Sequence, residues 1–277
     1  MRLLCAFLFG AVAFAGEWRS TGPYGGSATS IAIDPQHSNR LLAGTHSSLL
    51  FLSEDAGESW KALPFPRHFF GDLRVVTFDP LDSLHLLAGV HLSDRAEAGL
   101  YESRDGGQAW KAVPDLRGLP VEALSFWTAD PRRLVAGTDD GAYLSTDSGA
   151  TWIRITPKDS DELRTITAIA IDPSDARTLY AGTPHLPWKT TDGGASWQPM
   201  HSGMIDDSDV MSIVVDTRSP NRLYASACSG IYHSEVRGAR WIKYRGTTDT
   251  QRRTRVIRQD PSRPEILLAG TTAGLLK

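Results

Sequence analysis

Cysteine is nearly absent: the 277 residues hold two, Cys5 and Cys228. Long apolar runs are missing too. The longest, Leu3 to Phe14, has 12 residues, which is short for a bilayer span. A basic surplus is also lacking. Lys plus Arg number 29 against 32 Asp plus Glu, for a net charge of −3. That leaves no electrostatic footprint for a nucleic acid. No stretch carries helical periodicity. His-Glu-x-x-His, paired cysteines and Gly-x-Ser-x-Gly are absent, which removes the usual zinc, redox and serine-hydrolase signatures. Asp206, Asp207 and Asp209 lack the glycine and terminal glutamate of a calcium loop. No metal and no cofactor are expected.

The N-terminus reads as an export signal. Arg2 precedes the apolar run, and Ala13-Phe14-Ala15 fits the small-x-small cleavage rule. The expected division is a signal peptide at 1–15 and one domain at 16–277. The mature chain would be secreted or periplasmic, with no stable membrane insertion. Cys5 leaves with the signal, so Cys228 has no disulfide partner in the same chain. Its apolar stretch suits a small buried hydrophobe.

Repetition dominates the remainder. Five segments share one phrase: SEDAGESW (53–60), SRDGGQAW (103–110), STDSGATW (145–152), TTDGGASW (190–197) and SEVRGARW (234–241). Trp60, Trp110, Trp152, Trp197 and Trp241 recur at 42–50 residues, and Trp18 lies 42 before Trp60. A second phrase precedes each, as in IAIDP (31–35) and VTFDP (76–80). A third, as in LLAGT (41–45) and LYAGT (179–183), lies between them. The units run at about 27–63, 72–113, 121–155, 165–200, 209–244 and 254–277 plus 16–20.

Each unit reads as four short strands punctuated by Gly, Pro and Asp. Four strands per unit of this length is the size of one propeller blade. The expected fold is all-β, a β-propeller of four-stranded blades with six repeats visible. Either the strand at Trp18 closes six blades, or a seven-bladed propeller is truncated. The Asp-Pro pairs suit type I turns. Asp55, Asp105, Asp147 and Asp192 are expected to accept backbone N–H bonds across a hairpin. Each Trp is expected to cover its turn and pack on the next blade. The fifth copy has Val236 in place of the aspartate, so a looser turn is expected there.

These phrases resemble the BNR or Asp-box repeat superfamily over residues 17–277. They are most similar to sortilin-type and xyloglucanase-type propellers and to photosystem II assembly and stability factor repeats. The resemblance implies a propeller, and it is poorly specific for function. A sialidase would need an arginine triad and a Phe-Arg-Ile-Pro motif, which is missing. A xyloglucanase would need two propellers and an Arg-Thr-Asp-Val-Gly-Gly segment, which is also missing. The resemblance therefore favours a non-enzymatic module that binds a protein or polysaccharide, and a monomer is expected. The alternative is a glycoside hydrolase using carboxylates of one face.

Blade connectivity puts the Asp-Pro and Ser-x-Asp turns on one face. The loops between second and third strands, and between blades, share the other. Those loops vary, and variable loops on a rigid scaffold carry binding. The candidate residues there are Arg67, His68, Phe69, Phe70, His91, Arg95, Asp161, His185, Trp188 and Asp207. Solvated loops with apolar caps are the plain alternative.

Overall fold

The structure, a computed structural model, describes residues 21–23, 27–66, 70–206, 208–245 and 253–277. The expected signal at 1–15, Trp18, Arg67, His68, Phe69 and Asp207 lie outside the described residues. Six antiparallel sheets follow one another as the blades of a β-propeller. Blade 1 holds β1 (Ala28–Ile33), β2 (Leu41–Thr45), β3 (Leu50–Ser53) and β4 (Lys61–Ala62). Blade 2 holds β5 (Asp72–Asp79), β6 (Asp82–His91), β7 (Gly99–Ser103) and β8 (Lys111–Ala112). Blade 3 holds β9 (Val121–Phe126), β10 (Leu134–Thr138), β11 (Gly141–Ser145) and β12 (Ile153–Arg154). Blade 4 holds β13 (Ala168–Asp172), β14 (Asp175–Gly182), β15 (Pro187–Thr190) and β16 (Gln198–Pro199). Blade 5 holds β17 (Val210–Val215), β18 (Leu223–Ala227), β19 (Gly230–Ser234) and β20 (Ile242–Lys243). Blade 6 has three described strands, β21 (Thr254–Gln259), β22 (Leu267–Thr271) and β23 (Gly274–Leu276). Among the described residues the helical turns are two short 3-10 segments, Arg95–Glu97 and Pro114–Leu116.

The core is a series of layers, one per blade boundary. Along a first strand alternate residues face the blade before. Ile213 and Val215 of β17, for example, pack with Ala168, Ala170 and Tyr180 of blade 4. Alternate residues of the second and third strands face the blade after. Tyr224 and Ile231 of blade 5 meet Ile257 of blade 6 in this way.

This stacking explains the Ala-Gly-Thr phrase. A Cβ on Gly137 would stand 2.7 Å from the Ile166 carbonyl oxygen, and one on Gly182 would stand 2.8 Å from that of Val210. The second strand lies so close to the next blade that glycine is used here in blades 1 to 4, and blade 5 has the small Ser226, fully buried, in the same place. The threonine caps the following turn. Thr138 Oγ1 donates to the Gly141 carbonyl at 2.8 Å and accepts from the Asp140 amide at 3.0 Å.

The opposite face is held by side chain to backbone bonds. Asp34 Oδ1 accepts from the Gln36 amide at 2.9 Å, and Arg40 reaches Asp34 Oδ2 at 2.9 Å. Burial alone would raise the Asp34 carboxyl. Hydrogen bonds from Gln36, Ser83 and His37, with the charge of Arg40, outweigh it and hold the group below its ordinary range. In the Ser-x-Asp turns, Ser53 Oγ accepts from the Gly57 amide at 2.8 Å and Asp55 Oδ1 from the Ser59 amide at 2.8 Å. Asp105, Asp147 and Asp192 repeat the pattern with the amides of Ala109, Thr151 and Ser196, each at 2.9 Å.

Two expectations need correction. The fifth turn is not looser in its backbone. Ser234 Oγ still accepts from the Gly238 amide at 3.0 Å, and the Arg237 amide still donates to Asn221 O at 2.8 Å. Only the carboxylate's bonds are lost, because the serine and the backbone carry the turn without it. The tryptophans pack backwards, not forwards. Trp197 Nε1 donates to Ile155 O and Trp241 Nε1 to Met200 O, each at 2.8 Å and each in the preceding blade. Trp110 and Trp152 likewise sit in the layers shared with the blade before, since the fourth strand starts on that side. Trp60 is half-buried in blade 1.

Candidate binding face

The face of inter-blade loops and second-to-third turns begins with a repeated irregularity. Near the start of each first strand one extra residue is inserted, a β-bulge. The register skips Thr29, Arg74, Glu122, Met211 and Arg255. In blade 4 the amide of Thr167 and residue Ala168 both oppose Gly182. A bulge re-aims one side chain and is often used to build sites. In blades 1 and 4 that side chain is spent on structure. Thr29 Oγ1 donates to Leu73 O and Thr167 Oγ1 to Val210 O, each at 2.7 Å, tying each blade to the next.

In blades 2 and 3 the bulge residues are charged and meet across the blade boundary. Arg74 Nε lies 3.8 Å from Glu122 Oε2 and its terminal nitrogen lies 3.3 Å from Asp72 Oδ2. Glu122 also pairs with His91, and Asp72 with His46. Beside them Arg95 pairs with Asp139. Asp140 Oδ2 accepts from Arg154 and from the Tyr143 hydroxyl, each at 3.0 Å. Three blades thus share one mosaic of alternating charge.

The mosaic shifts its own titrations. The hydrogen bond that His91 donates to Glu122 raises the imidazole above its ordinary value, against burial and the charge of Arg74. Burial raises the Asp139 carboxyl, with help from Asp140 and Glu122, while Arg95 and His91 oppose. One oxygen of Asp139, Oδ1, is buried without a hydrogen-bond partner. Burial, then the bond to Asp140, pushes the Tyr143 phenol up to about 12.

The structure brings His91 and Arg95 into this mosaic. Phe70, Asp161 and His185 are exposed on loops of the same face, Phe70 two residues before Asp72. Trp188 stands within β15, half-buried against the layer between blades 3 and 4 and edge-on to His201 at 5.6 Å. Sequence reasoning misses His46, Asp72, Arg74, Glu122 and Asp139. Charges at the start of strands otherwise apolar, as in DLRVVTFD, are the available signal. The described carboxylates of the mosaic are engaged by Arg or His. That arrangement suits exchange of ion pairs with a ligand. Among the described residues no group of three or more His, Cys, Asp or Glu could hold a metal ion, and no helix is long and apolar enough to cross a membrane.

No family model and no curated protein matches the chain. Solved structures do. The chain is similar to the GH74 xyloglucanase from Xanthomonas campestris, with a TM-score of 0.71 and 18% identity, over 90% of this chain and 44% of that one. It is similar to the extracellular domain of the putative one component system BT4673 from B. thetaiotaomicron, with a TM-score of 0.67 and 16% identity, over 93% of this chain and 34% of that one. It is also similar to YCF48 bound to D1 peptide, with a TM-score of 0.64 and 14% identity, over 90% of this chain and 76% of that one. The chain spans less than half the length of the first two. At these identities the likeness is one of fold, the β-propeller.

Proposed function

We propose that the protein is a non-enzymatic propeller that binds a macromolecular partner, protein or glycan, through the charge mosaic of blades 1 to 3. The observation that carries this reading is the pair Arg74 and Glu122, two bulge residues turned from inter-blade tethers into ion-pairing groups. The structure of YCF48 with D1 peptide supports the reading, since it records a peptide on a propeller of this fold. The Ser-x-Asp turns fit the Asp-box type, with a structural role. Export by the segment at 1–15 belongs to the same reading.

Hydrolysis of a glycan has one observation in its favour: Asp139 is a half-buried carboxyl, with one oxygen enclosed, and burial raises its pKa, a common trait of general acids. One experiment separates the two. Titrate the chain with charged peptides of either sign and with soluble polysaccharides including xyloglucan, and assay for new reducing ends. Expected is saturable binding that weakens about tenfold in Arg74→Ala or Glu122→Ala, falls with salt, and releases no reducing ends. Release of reducing ends that Asp139→Asn abolishes would overturn the binding-only reading.

A further inference from the structure

On the face of the Asp-Pro turns, blade 3 breaks the pattern of its neighbours. The registers put Ile33, Phe78, Phe126, Ile171 and Val215 in one equivalent place, opposite Leu41, Leu86, Leu134, Leu179 and Leu223. The next residue is Asp34, Asp79, Asp172 or Asp216 in blades 1, 2, 4 and 5, and Trp127 in blade 3. Those four aspartates are buried. Each is met by a basic side chain: Arg40 at 2.9 Å, His85 at 2.8 Å, Arg237 at 3.0 Å and Arg222 at 4.0 Å respectively.

Blade 3 keeps the basic residue and lacks the acid. Arg133 directly precedes Leu134, as Arg40, His85 and Arg222 precede their leucines. The hairpin is otherwise the same. The Trp127 amide donates to Arg133 O at 2.9 Å, as the Asp34 amide donates to Arg40 O. Asp130, three residues on, is no substitute, because Arg132 takes its two oxygens at 2.9 and 2.8 Å. Arg133 Nε is buried without a hydrogen-bond partner, and among the described residues no carboxylate pairs with its guanidinium. Trp127 Nε1 is also buried without a partner. Nor does an aromatic ring compensate. Arg40 lies over Phe78 at 5.4 Å, and the place of Phe78 is taken by Ile171 in blade 4.

A partly buried charge is costly until a counter-ion completes it. In four blades the chain supplies that counter-ion itself. We propose that blade 3 takes its carboxylate from outside, so that Arg133, with the Trp127 indole N–H as a second donor, forms a binding site for a carboxylate ligand. Thr128 and Ala129 beside it are exposed, which leaves the place open to solvent on one side. The site lies on the face opposite the charge mosaic and does not rest on it. Two sources share this chemistry: a free carboxylate, and an acidic side chain of a peptide.

The test uses the full chain, titrated with sodium acetate and with a terminally blocked glutamate peptide, against sodium chloride at equal ionic strength. NMR reads the Arg133 amide and the Trp127 indole N–H. Expected is a saturable shift beyond that of chloride, lost in Arg133→Met. Saturation by the peptide at a concentration about tenfold lower than acetate identifies an acidic segment as the source, and equal potency identifies a free carboxylate. Trp127→Asp gives blade 3 the acid of its neighbours and should abolish the response at the Arg133 amide. Melting temperatures provide a second reading. Arg40→Met leaves the buried Asp34 without its partner and should lower the value by on the order of 10 °C. Arg133→Met should change it by less than about 2 °C. The proposal is overturned if neither probe shifts the resonances beyond chloride, if the shift persists in Arg133→Met or in folded Trp127→Asp, or if Arg133→Met costs as much as Arg40→Met.

Discussion

At the scale of the residue, the fifth Ser-x-Asp turn is a natural deletion experiment. It has Val236 where Asp55, Asp105, Asp147 and Asp192 stand elsewhere, and its valine is 53% exposed. The turn survives because Ser234 and the backbone supply the remaining bonds. The aspartates therefore add stability to a turn already formed. Val236→Asp should restore an acceptor for the amide of Arg240 and remove an exposed apolar side chain. A gain of about 0.5–1.5 kcal/mol is expected, the ordinary net worth of one such bond, read as an increase in the urea midpoint. No gain, or a loss, would show that the carboxylates of the other four turns serve something besides the hairpin.

At the scale of the element, the second strand of each blade is where packing is tightest. Gly137→Ala places a methyl against the Ile166 carbonyl and side chain, with backbone on one side and a β-branched residue on the other. Neither can withdraw cheaply, so a loss of about 1–3 kcal/mol is expected, measured by denaturant unfolding. This element is also where the sequence is most readable. Ala-Gly-Thr recurs because the stacking favours a residue with little or no side chain and the threonine caps the turn, so the phrase carries its geometry. Asp-Pro and Ser-x-Asp are legible for the same reason. The bulges are not. Arg74 and Glu122 differ from their neighbours only in lying opposite no partner, a property of register that belongs to two strands at once. The direction of the tryptophans is equally hidden, because either neighbouring blade would satisfy an indole. His91 and Arg95 are visible as polar residues in a long loop, but their partners Glu122 and Asp139 come from the next blade.

At the scale of the whole molecule, the two faces divide labour. One carries buried carboxylates fixed by backbone amides, repeated from blade to blade. The other carries charges that pair with one another across three blades, and its two charged bulge residues, Arg74 and Glu122, are replaced by threonine in blades 1 and 4. Surface ion pairs of this exposure contribute little to stability, so a mosaic that exists for binding should be dispensable to the fold. The direct measurement is the urea midpoint of the double variant Arg74→Thr with Glu122→Thr, which gives blades 2 and 3 the bulge residue of blades 1 and 4. The expected result is a stability within about 0.5 kcal/mol of the original chain. A loss of more than about 2 kcal/mol would mark the mosaic as a structural clamp and contradict its assignment as the binding face.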